Sequence, residues 1–99
     1  MTLEPADLRD LQAAISDRIY IQVANWNLYL GDAGLAENLA LECVANLQEG
    51  SGIAARKAIE RVQVQLAGGS MSLPLARLIP PSQIFDLEDI LEPFADNAA

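Results

Sequence analysis

Four carboxylates near the carboxyl end of the chain form its densest group of chemically capable residues. Asp86, Glu88, Asp89 and Glu92 lie within seven consecutive positions, and such a group could bind a divalent cation. A calcium-binding loop, however, has alternating acidic residues and a glycine at its turn, and this segment has neither. Carboxylates near the start of a helix are stabilised by the helix dipole. We therefore expect a solvated acidic helix end here and no metal site.

The one cysteine, Cys43, is the obvious candidate nucleophile, and the chain contains no histidine. Without an imidazole, nothing of that kind can activate the thiol, act as general base or bind a metal. Cys43 lies among Leu39, Val44 and Leu47 in an apolar stripe, which favours a buried hydrophobic role. We expect no catalytic residue and no cofactor, and we expect that the protein is not an enzyme.

The glycine-rich segment Gly68-Gly69-Ser70 has the composition of a phosphate-binding loop. Such a loop opens a helix and is followed by Lys and Ser or Thr, and both features are missing here. The segment instead joins two stretches of strand-like sequence. We expect it to form a hairpin turn.

A basic group is the first of two candidates for binding. Arg56, Lys57 and Arg61 lie close together on one short predicted helix, in the only basic block of the chain. Residues 51–81 carry a net charge of +3, whereas residues 1–50 carry −6 and residues 82–99 carry −5. The group could dock an acidic partner or an anion, although a solvated helix end accounts for it equally well.

An aromatic group is the second candidate for binding, and it comprises Tyr20, Trp26, Asn27 and Tyr29. Aromatic residues are enriched at interface hot spots. An asparagine inside a core needs a hydrogen-bond partner, for which the Tyr20 hydroxyl is available. Three aromatic residues in the core of a small domain are ordinary, so we expect core packing, with an exposed recognition surface as the alternative.

The elements that must position these groups begin with a long predicted helix from about Pro5 to Leu30. Pro5 suits a first helical turn and Gly31 a helix end. Beyond Ile19 this helix is apolar on nearly every side, so it must lie at the centre of the fold or cover a partner. The apolar residues at spacings of three and four are Leu8, Leu11, Ile15, Ile19, Val23, Trp26 and Leu30.

Three shorter helices are predicted after the first one. One covers about residues 33–48 behind an Asp32 cap, one runs from a Ser51 cap to about Arg61, and the last begins at an Asp86 cap. The residues that we expect to pack are Ala54, Ala55, Ala58 and Ile59 in the third helix, and Leu87, Ile90, Leu91 and Phe94 in the last.

A β-hairpin is predicted between the last two helices, because the apolar period changes there from three or four to two. A turn at Gly68-Gly69 closes an antiparallel pair with every apolar residue on one face. Pro74 is then expected opposite Gln63 at a hydrogen-bonded position, where it cannot donate. The predicted pairs are Leu66 with Met71, Val64 with Leu73 and Val62 with Leu75.

The sequence thus predicts one small α+β domain over residues 1–99, with three or four helices, one antiparallel hairpin, a central N-terminal helix and a frayed tail at 95–99. Its 99 residues are 52% apolar, which suffices for a core. The net charge of −8 argues against nucleic-acid binding. With no stretch of about 20 apolar residues and no secretory signal, we expect no membrane insertion and a cytoplasmic location.

Several segments, taken in order, point to a known family. They are residues 19–30 (IYIQVANWNLYL) with Asp32-Ala33 just after, residues 62–69 (VQVQLAGG), Leu73-Pro74-Leu75, Leu78-Ile79-Pro80 and residues 87–92 (LEDILE). Over most of residues 15–92 the chain resembles a family of small cyanobacterial proteins of unknown function. The resemblance implies a cytosolic protein of oxygenic phototrophs and supplies no catalytic residue.

These observations predict a non-enzymatic protein-interaction or assembly module. The apolar first helix and the unpaired hairpin edges are the expected surfaces for a protein partner or for a second copy in a homodimer, because a strand edge is a template for pairing. The alternative is a small-molecule-binding protein. Its pocket is expected between the first helix and the hairpin, lined by Tyr20, Trp26 and Asn27.

Overall fold

The computed structural model of the chain describes residues 4–23, 26–66 and 69–98. Within these ranges the fold is α+β, with five helices and two antiparallel two-stranded sheets. The helices are α1 (Pro5–Arg18), α2 (Leu30–Ala33), α3 (Ala36–Ala45), α4 (Ser51–Arg61) and α5 (Pro81–Ala98). The strands are β1 (Tyr20–Val23), β2 (Trp26–Tyr29), β3 (Gln63–Leu66) and β4 (Met71–Pro74).

Helix α1 begins as predicted, with Pro5 in its first turn and the Glu4 backbone N–H donating to the Asp7 carboxylate at 3.2 Å. It ends at Arg18, so the predicted continuation to Leu30 is wrong. Two strands, β1 and β2, replace the second half of the predicted helix. We refer to this pair as the first hairpin and to β3 with β4 as the second hairpin.

The segment after Arg18 leaves the helix because it also has the pattern of a strand. Ile19, Ile21 and Val23 alternate with polar or aromatic residues, and β-branched side chains fit a pleated surface well. Ile19 and Ile21 are fully buried while Gln22 is exposed. Burial of alternate residues therefore overrides the helical spacing, and the described residues form two hairpins where the sequence predicted one.

The first hairpin is antiparallel, and its cross-strand pairs include two direct side-chain contacts. The rings of Tyr20 and Tyr29 have centroids 5.6 Å apart, and Gln22 Nε2 donates to Asn27 Oδ1 at 3.3 Å. The paired residues are Tyr20 with Tyr29, Ile21 with Leu28, Gln22 with Asn27 and Val23 with Trp26.

The second hairpin has the predicted register, with Val64 opposite Leu73 and Leu66 opposite Met71. The Leu75 N–H donates to the Val62 carbonyl at 2.8 Å, so that pair is hydrogen-bonded. Because hydrogen-bonded and non-hydrogen-bonded pairs alternate, Pro74 occupies a non-hydrogen-bonded position.

The expected loss of a ladder bond at Pro74 is therefore wrong. Gly68 of the predicted turn lies outside the described residues.

Helix α3 is shorter than the predicted 33–48, because a 3₁₀ turn at Leu47–Glu49 follows it. The chain then reverses at Gly50, whose φ of 106° lies in a region that glycine adopts readily. Gly50 precedes α4, so Ser51 is the first helical residue and not the cap. The predicted extent of α4 is confirmed, and its predicted packing residues Ala54, Ala55, Ala58 and Ile59 are all buried.

Helix α5 begins at Pro81, so Asp86 lies inside it and is not the predicted cap. Proline suits the first position of a helix because its missing N–H has no partner there. The predicted apolar residues Leu87, Ile90 and Leu91 are buried.

The core lies among the four longer helices of the described chain. Helix α1 packs against α3 and α5, and α4 packs against the same two helices. Both hairpins are anchored to the core by side chains on one face, Ile21 in the first and Val64 in the second. The fully buried large side chains are Leu11, Ile15, Ile19, Ile21, Leu30, Leu39, Leu47, Leu75, Leu87 and Leu91.

Candidate functional site

All four residues of the aromatic group lie on the first hairpin, and they do not form the core cluster that the sequence predicted. All four strand residues of β2 are exposed. Trp26 is 77% exposed and Tyr29 42% exposed, while Asn27 is held by Gln22 on the surface. The observed exposure of β2 agrees with the alternative that these residues lie on the surface.

Alternation along the strands gives the first hairpin two unlike faces. One face carries Tyr20, Gln22, Asn27 and Tyr29, and these side chains contact each other in pairs. The other face is wholly apolar and consists of Ile21, Val23, Trp26 and Leu28. Burial on the apolar face falls from Ile21, which is fully buried, to Trp26, the first residue of β2, which is 77% exposed.

An open cleft of about 480 Å³ lies between this apolar face and strand β3 of the second hairpin. Its polar lining groups are all uncharged amides, which favour an uncharged ligand. The predicted lining residues Tyr20, Trp26 and Asn27 are not part of it. The residues that line the cleft are Ile21, Val23, Leu28, Ala33, Leu35, Asn38, Gln63, Val64 and Gln65.

Charge is absent from both hairpins. Residues 19–31 and 62–76 contain no Asp, Glu, Lys or Arg, although one residue in five of the whole chain is charged. The net charge of −8 is thus carried entirely by other segments. The hairpins are therefore neutral surfaces on an acidic protein.

The basic group is divided by the geometry of α4. Lys57 Nζ contacts the Glu49 carboxylate at 2.9 Å, and Arg61 Nη1 lies 3.9 Å from Glu42 Oε2. Arg56 instead borders a groove between α4 and α5. The three cations do not converge on one point, which weakens the reading of this group as an anion site.

The groove between α4 and α5 contains a residue that the sequence reading missed. Phe85 is 67% exposed there, beside Ile59 and Ile84, in a groove of about 350 Å³. Because the last helix was predicted to begin at Asp86, Phe85 was not assigned to any helix face.

The remaining chemical candidates lie apart from these surfaces. Cys43 is fully buried in the core, as predicted. Burial, with a smaller effect of the Glu42 carboxylate, raises the pKa of its thiol from 9.0 to about 12. The thiol is therefore protonated and shielded from substrates at neutral pH.

The carboxylates of α5 do not assemble into a metal site. Asp86 accepts a hydrogen bond from Gln83 Nε2 at 2.9 Å. Among the residues that the structure describes, no three Asp, Glu, Cys or His side chains are grouped as metal ligands. In the same part of the chain, no helix is both long enough and apolar enough to cross a membrane.

Gln83 is a second residue that sequence reasoning missed. It is buried, and its Oε1 accepts the backbone N–H of Tyr20 at 3.0 Å. Tyr20 and Gln83 are far apart in the chain, so no local pattern could have revealed the contact.

The fold and these surfaces define a small α+β protein with exposed strand edges. The chain belongs to the family described as "Protein of unknown function (DUF3181)", whose model matches residues 8–94. A comparison with curated proteins found no match, and neither did a comparison with solved structures.

Proposed function

We propose that this protein is a non-enzymatic protein-interaction or assembly module whose binding surface is strand β2. The observation that carries the proposal is the exposure of every residue of β2, with Trp26 exposed over 77% of its surface. An indole that stays in water does not contribute the favourable free energy that its burial would provide. A partner that covers Trp26 would bury the indole, and this burial would stabilise the complex.

The type and arrangement of the exposed residues also suit protein recognition. Trp and Tyr are enriched among interface hot spots. Trp26 is the first residue of the four-residue strand β2, and Tyr29 is the last. A strand edge adds backbone groups that pair with another extended chain. Both features favour a protein partner over a small solute.

The positions of the other reactive groups support a role in binding rather than catalysis. The Cys43 thiol is buried and protonated, and Lys57 and Arg61 are each engaged by a glutamate. From the family resemblance, we further propose that the protein works in the cytosol of an oxygenic phototroph.

The proposal is tested by affinity capture from the native cell, followed by mass spectrometry, with the tagged wild-type protein as bait. Trp26→Ala should lose the captured partner. Phe85→Ala is the matched control, because Phe85 is also a highly exposed aromatic residue but lies on α5. Capture that survives Trp26→Ala, or that is lost equally in both variants, would contradict the proposal.

A second candidate function is the binding of a small neutral molecule, and the cleft of about 480 Å³ favours it. Non-denaturing mass spectrometry of protein purified from the native cell would reveal a retained ligand as an added mass. Gln65→Trp should abolish that mass, because Gln65 is exposed and lines the cleft. An added mass that persists in this variant would place the ligand elsewhere.

A further inference from the structure

The two edges of the first hairpin differ in what covers them. Residues 19 and 30 form a hydrogen-bonded pair, because the Leu30 N–H donates to the Ile19 carbonyl at 3.0 Å. Hydrogen-bonded and non-hydrogen-bonded pairs alternate along the ladder, so the backbone N–H and carbonyl groups of Tyr20 and Gln22 point away from β2. Both N–H groups are satisfied, Tyr20 by Gln83 Oε1 at 3.0 Å and Gln22 by the Leu78 carbonyl at 2.9 Å. We call the β1 edge closed because both of its outward N–H donors are occupied.

The β2 edge is open. The same alternation directs the N–H and carbonyl of Asn27 away from β1. Within residues 4–23, 26–66 and 69–98, no backbone hydrogen bond reaches these two groups. Natural sheets protect such edges with charged residues or proline, and β2, with the sequence WNLY, has neither.

Strand β4 of the second hairpin has such protection. In β4, Pro74 occupies an outward-facing position and has no N–H to offer. This leaves Ser72 as the outward N–H donor among the four residues of that strand. The contrast shows that β2 is better suited than β4 to pair with another chain.

We infer that β2 pairs with β2 of a second copy of this chain, antiparallel and about a twofold axis at Asn27. The inference rests on the proposed function and names its partner. In this register the two Asn27 residues exchange a pair of backbone hydrogen bonds. Trp26 then lies opposite Leu28 of the second copy, and Leu28 opposite its Trp26, so these exposed apolar side chains contact each other across the new strand pair.

Charge supports a second copy as the occupant. Two chains of −8 repel each other at long range, yet the paired strands meet without a like-charge contact because residues 19–31 are uncharged. A basic partner would find no carboxylate in β2 to bind. The two kinds of partner differ in salt dependence, since salt screens repulsion between acidic copies but weakens attraction to a basic protein.

The dimer is expected to be weak and concentration-dependent. Buried aromatic residues cover about 150–250 Å² each, so pairing of β2 covers a few hundred Å² per molecule. Standard interfaces cover about 800 Å² per partner. Sedimentation equilibrium from about 10 µM to about 1 mM spans the corresponding range of dissociation constants.

Two variants at Asn27 and one matched control test the inference by sedimentation. Asn27→Lys adds a charge at the twofold axis, and Asn27→Pro removes the outward N–H without touching the backbone hydrogen bonds inside the hairpin. Both variants also remove the exposed side-chain contact with Gln22. Each should weaken dimerisation at least about tenfold. Ser72→Lys adds the same single positive charge as Asn27→Lys, but at the outward-facing position of β4. This control should leave the dimer intact. Circular dichroism confirms that each variant is folded.

Raising the salt concentration from about 0.05 M to about 0.5 M should tighten the wild-type dimer. A wild-type protein that is monomeric throughout, a dimer that survives Asn27→Lys, or equal loss in Ser72→Lys would overturn the inference. Recovery of a Trp26-dependent protein from the lysate would still support the proposed function in those cases, so the two failures are distinguishable.

Disulfide formation tests the register directly. Cα atoms in a hydrogen-bonded antiparallel pair are about 5.5 Å apart, within the range of about 4.4–6.8 Å for disulfides. Asn27→Cys should give a covalent dimer on mild oxidation, whereas Ser72→Cys should not. Cys43 does not interfere because it is buried. A sedimenting dimer of Asn27→Cys that fails to cross-link would overturn the register.

Discussion

The two hairpins have the same size and the same lack of charge, yet the strand edges that they expose to solvent differ. Each consists of two four-residue antiparallel strands and is anchored by one buried aliphatic residue, Ile21 or Val64. Pro74 protects the edge of strand β4 in the second hairpin, whereas β2 of the first has an unprotected edge and an exposed tryptophan.

The difference teaches that pairing strength inside a hairpin and availability of its edge are set by separate residues. Residues on the apolar face fix each hairpin to the helices. The outward backbone groups decide whether another chain can add to it. Substitutions can therefore change stability and association independently.

The largest effect is expected where the first hairpin enters the core. Ile21→Ala should lower the free energy of unfolding by about 2–5 kcal/mol, because Ile21 is fully buried and its removal leaves a cavity. Leu28→Ala is the matched change on its cross-strand neighbour, which is 37% exposed, and should lose about 1 kcal/mol. Urea unfolding measures both. Equal losses would show that the hairpin is not anchored from one strand.

A somewhat smaller effect is expected at Gly31, in the short helix that joins the first hairpin to the bundle. A Cβ there would lie 3.0 Å from Ser16 Cβ and 3.2 Å from the Ser16 carbonyl oxygen. Gly31→Ala should therefore cost about 1–3 kcal/mol.

Gly52→Ala is the control for this change. Its new Cβ would lie 2.9 Å from Glu88 Oε1, the end of a flexible side chain that can move aside. Because alanine favours helix by about 1 kcal/mol over glycine, this variant should be neutral or more stable in the same urea titration. A neutral Gly31→Ala would refute the close packing of α2 on α1.

A third effect concerns the closed edge of β1. Gln83→Met keeps the size of the side chain but leaves the Tyr20 N–H without its acceptor, at an expected loss of about 1–2 kcal/mol. The Tyr20 amide should also exchange faster by NMR. Gln63→Met, the same change at an exposed position of the second hairpin, should stay within about 0.5 kcal/mol. Unchanged Tyr20 exchange would mean that Gln83 does not close the edge.

The smallest effect on folding is expected from the residue most important to the proposed function. Trp26→Ala should change the free energy of unfolding by less than about 0.5 kcal/mol, because the indole is largely in water. In the wild-type protein, the fluorescence of Trp26 should be that of a solvated tryptophan and should shift to shorter wavelength as the protein concentration rises. A large loss of stability would instead place Trp26 in the core.

Features with strong local signals could be predicted from the sequence. Pro5 marks the start of α1, and the alternation at 62–66 and 71–75 fixed the register of the second hairpin. The buried alanines of α4 followed from their spacing, and its extent was predicted correctly although Ser51 is not the cap.

The first hairpin could not be predicted, because residues 19–30 satisfy a helical spacing and a strand alternation at once. Only the burial of Ile19 and Ile21 against the helices decides between them. The candidate residues Tyr20, Trp26, Asn27 and Tyr29 were therefore wrongly placed on a helix. All four lie on the first hairpin, but Trp26 is on the opposite face from the other three. The contact from Tyr20 to Gln83 depends on the tertiary fold and has no local signal.

The closed edge of β1 also sets a limit on stoichiometry. Two copies joined through β2 would form a four-stranded sheet whose outermost strands are both β1. At each end of that sheet the Leu78 carbonyl and the Gln83 side chain already occupy the outward N–H groups. A third copy would find no free donor there, so the assembly closes as a symmetric pair and does not grow into a filament.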